Sequence, residues 1–135
     1  MFADEESRSE ETAAAPAAAI LVVDDDDRIR YLLSTVLRKQ GYGVVTAENG
    51  KEALRYLKQN PAPRLILSDL VMPDMNGPQF RMALEQDPAL AAIPVVIMSG
   101  TQNTRAEAFF LNAAGHLDKP IDLEALMELA RRFCS

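Results

Sequence analysis

The stretch Ile20-Leu21-Val22-Val23-Asp24-Asp25-Asp26-Asp27 sets the reading of the whole 135-residue chain. Its first four residues are aliphatic without interruption, and three of them are β-branched. Such a run is too short and too evenly apolar for an amphipathic helix, and it suits a strand covered on both faces. Four carboxylates follow at once, so a buried strand would end in concentrated negative charge.

Working outward, four more runs share that character: Val44–Thr46, Leu65–Leu67, Val95–Met98 and, more weakly, His116–Leu117. Amphipathic stretches lie between them. Ile29, Leu32, Leu33, Val36 and Leu37 mark a first helix, and Ala53, Leu54 and Leu57 a second, capped by Asn49 and ended before Pro61. Pro78 opens a third at a favoured first-turn position. Ala106 to Leu111 falls in a fourth, and Leu123, Leu126, Met127 and Ala130 form the stripe of a fifth. Strict alternation of five strands and five helices predicts an α/β fold with a parallel sheet between helical layers and right-handed crossovers. Function in such sheets gathers at the C-terminal ends of the strands.

The formal net charge is -6, but residues 1–19 carry five acids and one base, so the remainder is close to neutral. With no basic stripe, there is no electrostatic reason for nucleic-acid binding. Residues 1–18, acidic and then rich in alanine, are expected to be a flexible tail, and residues 19–135 one folded domain. The single cysteine, Cys134, can form no internal disulfide, which points to a reducing compartment and a cytoplasmic location. No apolar run is long enough for a membrane span, and the N-terminus does not resemble a signal peptide.

Four of the five strand ends carry polar or charged groups. They are Asp24–Asp27, Ser68-Asp69 with the loop Leu70–Gly77, Ser99-Gly100-Thr101, and Asp118-Lys119-Pro120. If the first and third strands are neighbours, Asp24, Asp25 and Asp69 converge. Three close carboxylates raise one another's pKa unless a cation neutralises them. An all-oxygen set without cysteine or histidine suits magnesium, with manganese as an alternative, and argues against zinc. Asp69 could then act as a nucleophile toward a phosphoryl group and form an acyl phosphate. Lys119 would pair with that group as a point charge, Ser99 would donate its hydroxyl, and Gly100 would leave room for a backbone amide to approach the oxyanion.

Taken together, Ile20–Asp25, Asp69 with Met72-Pro73-Asp74-Met75-Asn76-Gly77, Ser99-Gly100 and Lys119-Pro120 resemble the response-regulator receiver family, over roughly Ala18 to Ser135. The resemblance implies a (βα)5 flavodoxin-like fold, three-layered and doubly wound, with strand order 2-1-3-4-5. It implies a two-component signalling switch rather than a turnover enzyme, supporting only its own magnesium-dependent phosphotransfer and slow autodephosphorylation. Asp69 would accept a phosphoryl group from a histidine kinase or histidine phosphotransfer protein. By position, Asp24 and Asp25 resemble the family's acidic pair, the backbone carbonyl of Val71 a third metal ligand, Ser99 the switch hydroxyl and Lys119 the family's lysine. The Lys119–Pro120 peptide would be cis. Helix 4, strand 5 and helix 5, about residues 104–134, would signal to a downstream protein or a linked output domain, with a phosphorylation-dependent homodimer as one mode. His116 stands where similar domains often place Tyr or Phe as second switch residue, and Val71 where many carry a polar side chain.

Plainer roles are open to some of these residues. Asp26 and Asp27 suit the positive end of the first helix. Asp74 suits the turn of its loop, and Met72 and Met75 suit loop packing. Asp118 could hold Lys119 in a structural ion pair. A haloacid-dehalogenase-like phosphatase, with Asp24 and Asp26 as its acids, is a competing function, although the chain is short for it and lacks a cap region. A binding module that no longer phosphorylates is another.

Overall fold

The structure, a computed structural model, describes residues 18–101 and 103–134, with the backbone alone at Phe110. Of the expected tail, residues 1–17 lie outside the described residues, while Ala18 is buried against the fold.

Among the described residues, ten elements alternate without exception. They are β1 (Ile20–Val23), α1 (Asp27–Lys39), β2 (Val44–Ala47), α2 (Gly50–Gln59), β3 (Leu65–Asp69), α3 (Gly77–Glu85), β4 (Val95–Ser99), α4 (Thr104–Phe110), β5 (Gly115–Asp118) and α5 (Leu123–Cys134). All strand pairings are parallel, and the sheet order is β2-β1-β3-β4-β5, as expected.

The three central strands, β1, β3 and β4, are buried on both faces, whereas the edge strands β2 and β5 are only partly covered. Alternate residues Leu21, Val23, Ile66, Val95 and Ile97 pack on one side with Ala53, Leu57, Phe80, Leu84 and Ala108, which come from α2, α3 and α4. Their neighbours Ile20, Val22, Leu65, Leu67, Val96 and Met98 pack on the other side with Leu33, Leu37, Leu126 and Ala130 from α1 and α5. The two-residue period of a strand divides one continuous run between two cores.

Local signals place the helix starts. Asp26 caps α1 by accepting from Arg28 N–H, Asn49 caps α2 by accepting from Glu52 N–H, and Asn76 forms a capping box with Gln79 at α3. Asp27 falls in the first turn of α1 and Arg38 and Lys39 in its last, where each complements the helix dipole. By contrast, α4 has no side-chain cap from Asn103. Asp74 adopts a positive φ of 66° in the β3–α3 loop, in keeping with a turn role, and the Lys119–Pro120 peptide is cis.

Strand ends differ from the expected limits in one consequential way. Asp69 and Ser99 are the last residues of β3 and β4 rather than the first residues of loops. By polarity these residues end the apolar runs, but the backbone ladder continues through them: Asp69 stands opposite Met98, and Ser99 opposite Asp118.

Candidate functional site

Register explains why the acids meet. Val23 pairs with Ser68 across β1 and β3, so the next residues, Asp24 and Asp69, leave adjacent strands at the same level. Backbone bonds hold that rim: Asp24 N–H donates to Ala47 O at 3.1 Å, Leu70 N–H to Met98 O at 3.0 Å, and Lys119 N–H to Ser99 O at 2.8 Å. One carboxylate oxygen from each of Asp24, Asp25 and Asp69 lies within 4.8 Å of the others. Asp24 is fully buried and Asp69 is 6% exposed, whereas Asp25 faces solvent. The expected three-acid cluster is therefore present as a geometric fact.

Lys119 enters from β5. Its Nζ lies 3.0 Å from Asp24 Oδ2 and donates to Asp69 Oδ1 at 3.1 Å. That buried Asp24 oxygen has the ammonium's charge beside it but no hydrogen bond of good geometry. Asp24 Oδ1 accepts from Asp26 N–H at 2.9 Å. Asp118 does not compete for the lysine: it turns toward His116, whose Nδ1 is 3.8 Å away.

The electrostatics follow from burial. Removal from water raises the Asp69 pKa, the Asp24 charge raises it further, and Lys119 only partly opposes them. For Lys119, burial alone would lower the pKa, but the close carboxylate of Asp24 and then that of Asp69 outweigh it and leave the ammonium's pKa raised. One lysine therefore faces more negative charge than it can neutralise. Three hard oxygen donors, one of them a buried oxygen without a directed hydrogen bond, fit a small divalent cation of the magnesium type.

The other expected residues take varied positions. Ser99 is buried at the end of β4, and its hydroxyl bonds to Thr101. At Gly100 a side chain would meet nothing nearer than Lys119 Cβ at 3.9 Å, so space is present there but is not demanded by crowding. The Val71 side chain is 70% exposed just beyond Asp69. His116 is half-buried in β5, with a buried Nδ1 that makes no hydrogen bond. Asp26 caps α1, and its bond from Arg28 N–H lowers its pKa, in keeping with a helix-start role. Met72 is buried in the core and Met75 packs against it, as expected of loop packing.

Three sets of contacts around the site go beyond the roles read from the sequence. Arg30 reaches back past the start of α1 to donate to Asp24 O at 2.6 Å while pairing with Asp27, which ties down the acidic loop. Gly77 N–H donates to Leu70 O at 2.8 Å and brings α3 against the loop that follows Asp69. Thr101 and Glu107 extend the hydrogen bonding of Ser99 onto α4. The spacing of Arg30 three residues after Asp27 was a usable signal, because i and i+3 residues adjoin on a helix. The other two need the fold.

Comparison with known proteins agrees with this geometry. Residues 20–131 match the model of the response regulator receiver domain family. Protein PilH of Pseudomonas aeruginosa is 36% identical over 101 residues, covering 73% of this chain and 82% of PilH. Several other curated relatives are longer, and the chain spans 6% to 49% of them. Among solved structures, a response regulator receiver protein from Pseudomonas putida superposes with a TM-score of 0.78 at 28% identity, over 88% of this chain and 99% of that one. The response regulator TrrA of Thermotoga maritima, solved in complex with Mg2+–BeF, superposes with a TM-score of 0.74 at 27% identity, over 84% of this chain and 96% of that one. With the family match running almost from the first strand to the end of the last helix, over a sheet and acidic rim of the expected arrangement, the chain belongs to the response regulator receiver domain family of two-component signalling.

Proposed function

We propose that Asp69 is the phosphoryl acceptor of this receiver, and that Asp24, Asp25, Asp69 and the Val71 backbone carbonyl hold a magnesium ion beside it. The observation that carries this is the cluster of three acids and one lysine at the C-terminal edge of a parallel sheet. When bound, the cation supplies charge neutralisation to a phosphoryl group in transfer. Asp69, on β3, presents an oxygen to the phosphorus of a phosphohistidine donor. A P–O bond to that carboxylate forms as the P–N bond breaks, and the imidazole leaves with its electron pair. Lys119 is positioned to exchange its bond to Asp69 Oδ1 for one to the arriving phosphoryl group, and Ser99 and Gly100 border the same space.

The expected donor is a histidine kinase or a histidine phosphotransfer protein, and the expected reader is a downstream protein or a linked output domain. The surface formed by α4, β5 and α5, including His116, is the one that would change, and a phosphorylation-dependent homodimer is one mode of output. A cytoplasmic location suits a free Cys134, and no described helix is long and apolar enough to cross a membrane.

Intact-mass analysis after incubation with acetyl phosphate tests this reading. One phosphoryl group should be added with magnesium, none without it, and none in Asp69→Asn. An added mass that persists in Asp69→Asn removes Asp69 from the role, and many turnovers on small phosphate esters would favour a phosphatase.

A further inference from the structure

We infer that Thr101 and Glu107 are positioning residues that hold the Ser99 hydroxyl in a resting orientation and so set how readily it turns to a phosphoryl group on Asp69. This rests on the roles proposed above for Asp69 and Ser99. Ser99 Oγ has both of its hydrogen bonds with Thr101: it lies 3.2 Å from Thr101 Oγ1 and accepts from Thr101 N–H at 3.1 Å. Thr101 Oγ1 in turn lies 2.7 Å from Glu107 Oε1 on α4.

The direction of the chain follows from proton counting. An ionised carboxylate can only accept, so Thr101 must donate its one hydroxyl proton to Glu107. Thr101 then has none for Ser99, and Ser99 must donate to Thr101. Both hydroxyl protons therefore point from the strand toward the helix, and the chain of hydroxyls ends on a charge. The charge-assisted last link makes Thr101 Oγ1 a better acceptor for the link before it.

A phosphoryl group brings three strong acceptor oxygens into the space beside Ser99. It must compete with Thr101 for the single proton of Ser99. The consequence runs both ways: whatever weakens the Ser99–Thr101 link favours the phosphoryl-bound arrangement, and phosphorylation weakens that link. The effect reaches α4 because Thr101 is its joint to the sheet. Thr104 Oγ1 donates to Thr101 O at 3.1 Å, Asn103 N–H donates to Thr101 Oγ1 at 3.3 Å, and Asn103 offers no side-chain cap of its own. The far end is held separately, where Arg81 Nε donates to Leu111 O at 3.1 Å.

The test is calorimetric titration of the full chain with beryllofluoride at fixed magnesium, alongside amide NMR of α4. Glu107→Ala and Thr101→Val should each tighten beryllofluoride binding about three- to tenfold, the equivalent of one modest hydrogen bond. Thr101→Ser, which keeps the hydroxyl, should bind like the wild type. In the wild type the NMR response should extend from Ser99 to Glu107 and Ala108, and in Glu107→Ala it should stop at Ser99. Unchanged or weaker binding in Glu107→Ala, or an undiminished α4 response, overturns the inference. If the wild type itself fails to bind beryllofluoride, the fault lies in the receiver reading, and the positioning role falls with it.

Discussion

Replacing Gly77 by alanine tests how the loop that follows Asp69 is held in place. A Cβ built on Gly77 would lie 2.9 Å from Leu70 Cα, 3.0 Å from Asp69 O and 3.0 Å from Leu70 O. All three are backbone atoms, so no side chain can turn aside to make room. Ordinary carbon contacts sit at about 3.5–4.0 Å, which means the start of α3 must retreat by more than half an ångström. Retreat strains the bond from Gly77 N–H to Leu70 O, which is 2.8 Å long. Overpacking of this kind costs about 1–3 kcal/mol and a weakened buried hydrogen bond about 0.5–1.5 kcal/mol. A loss of about 2–3 kcal/mol is expected, or about 8–12 °C in Tm for a domain of this size. Two other glycines calibrate the result. Gly41 has a φ of 96° with nothing within 4 Å of its added Cβ, so Gly41→Ala should cost only about 1 kcal/mol from backbone strain. Gly100→Ala, with only Lys119 Cβ at 3.9 Å, should be nearly neutral in the absence of ligand. Urea unfolding followed by far-UV circular dichroism gives all three values on one scale. A Gly77→Ala variant within about 0.5 kcal/mol of wild type, or less harmed than Gly41→Ala, refutes the argument.

Four further outcomes are expected. Asp69→Asn should stabilise the metal-free protein at neutral pH. Burial raises the Asp69 pKa on folding, so the folded chain binds more protons than the unfolded one above the usual carboxylate range, and stability falls as pH rises through the folded value. The gain should shrink toward acid pH, and a gain that is constant or grows there contradicts the cause given. Magnesium at ten times its dissociation constant should raise wild-type stability by about 1.4 kcal/mol, and Asp24→Asn or Asp25→Asn should abolish that rise in a thermal shift assay. Lys119→Met leaves Asp24 and Asp69 facing each other without a cation. With the lysine side chain 24% exposed, the loss should be about 1–3 kcal/mol, below that of a fully buried pair, and smaller when magnesium is present. Arg81→Ala should cost about 2 kcal/mol and raise amide exchange at the end of α4, since its guanidinium holds the Leu111 carbonyl; equal protection in the variant would count against that contact.

Much of the fold was legible because it depends on short-range patterns. Uninterrupted runs such as Ile20–Val23 announce a strand covered on both faces, Asn49 and Pro78 announce helix starts, and strict alternation of elements leaves few arrangements of a parallel sheet. The acids and the lysine at the strand ends could be grouped for the same reason: a parallel sheet brings every such end to one edge. Strand limits were less legible. Asp69 and Ser99 look like loop residues by polarity, yet they complete their ladders because the backbone bonds are indifferent to the side chain.

The sequence by itself determined the fold class, the order of its elements and the list of groups able to do chemistry, since these follow from periodicity, capping and residue type along the chain. Only the tertiary structure decided which of those groups touch. The register between β1 and β3 sets Asp24 beside Asp69, and the same folding sends Lys119 to the acids and Asp118 to His116, with Asp26 taken up by its helix. The contacts of Thr101 with Glu107 and of Gly77 with Leu70 depend on where α4 and α3 leave the sheet. That direction is set by packing summed over two cores, and no local run of residues encodes it.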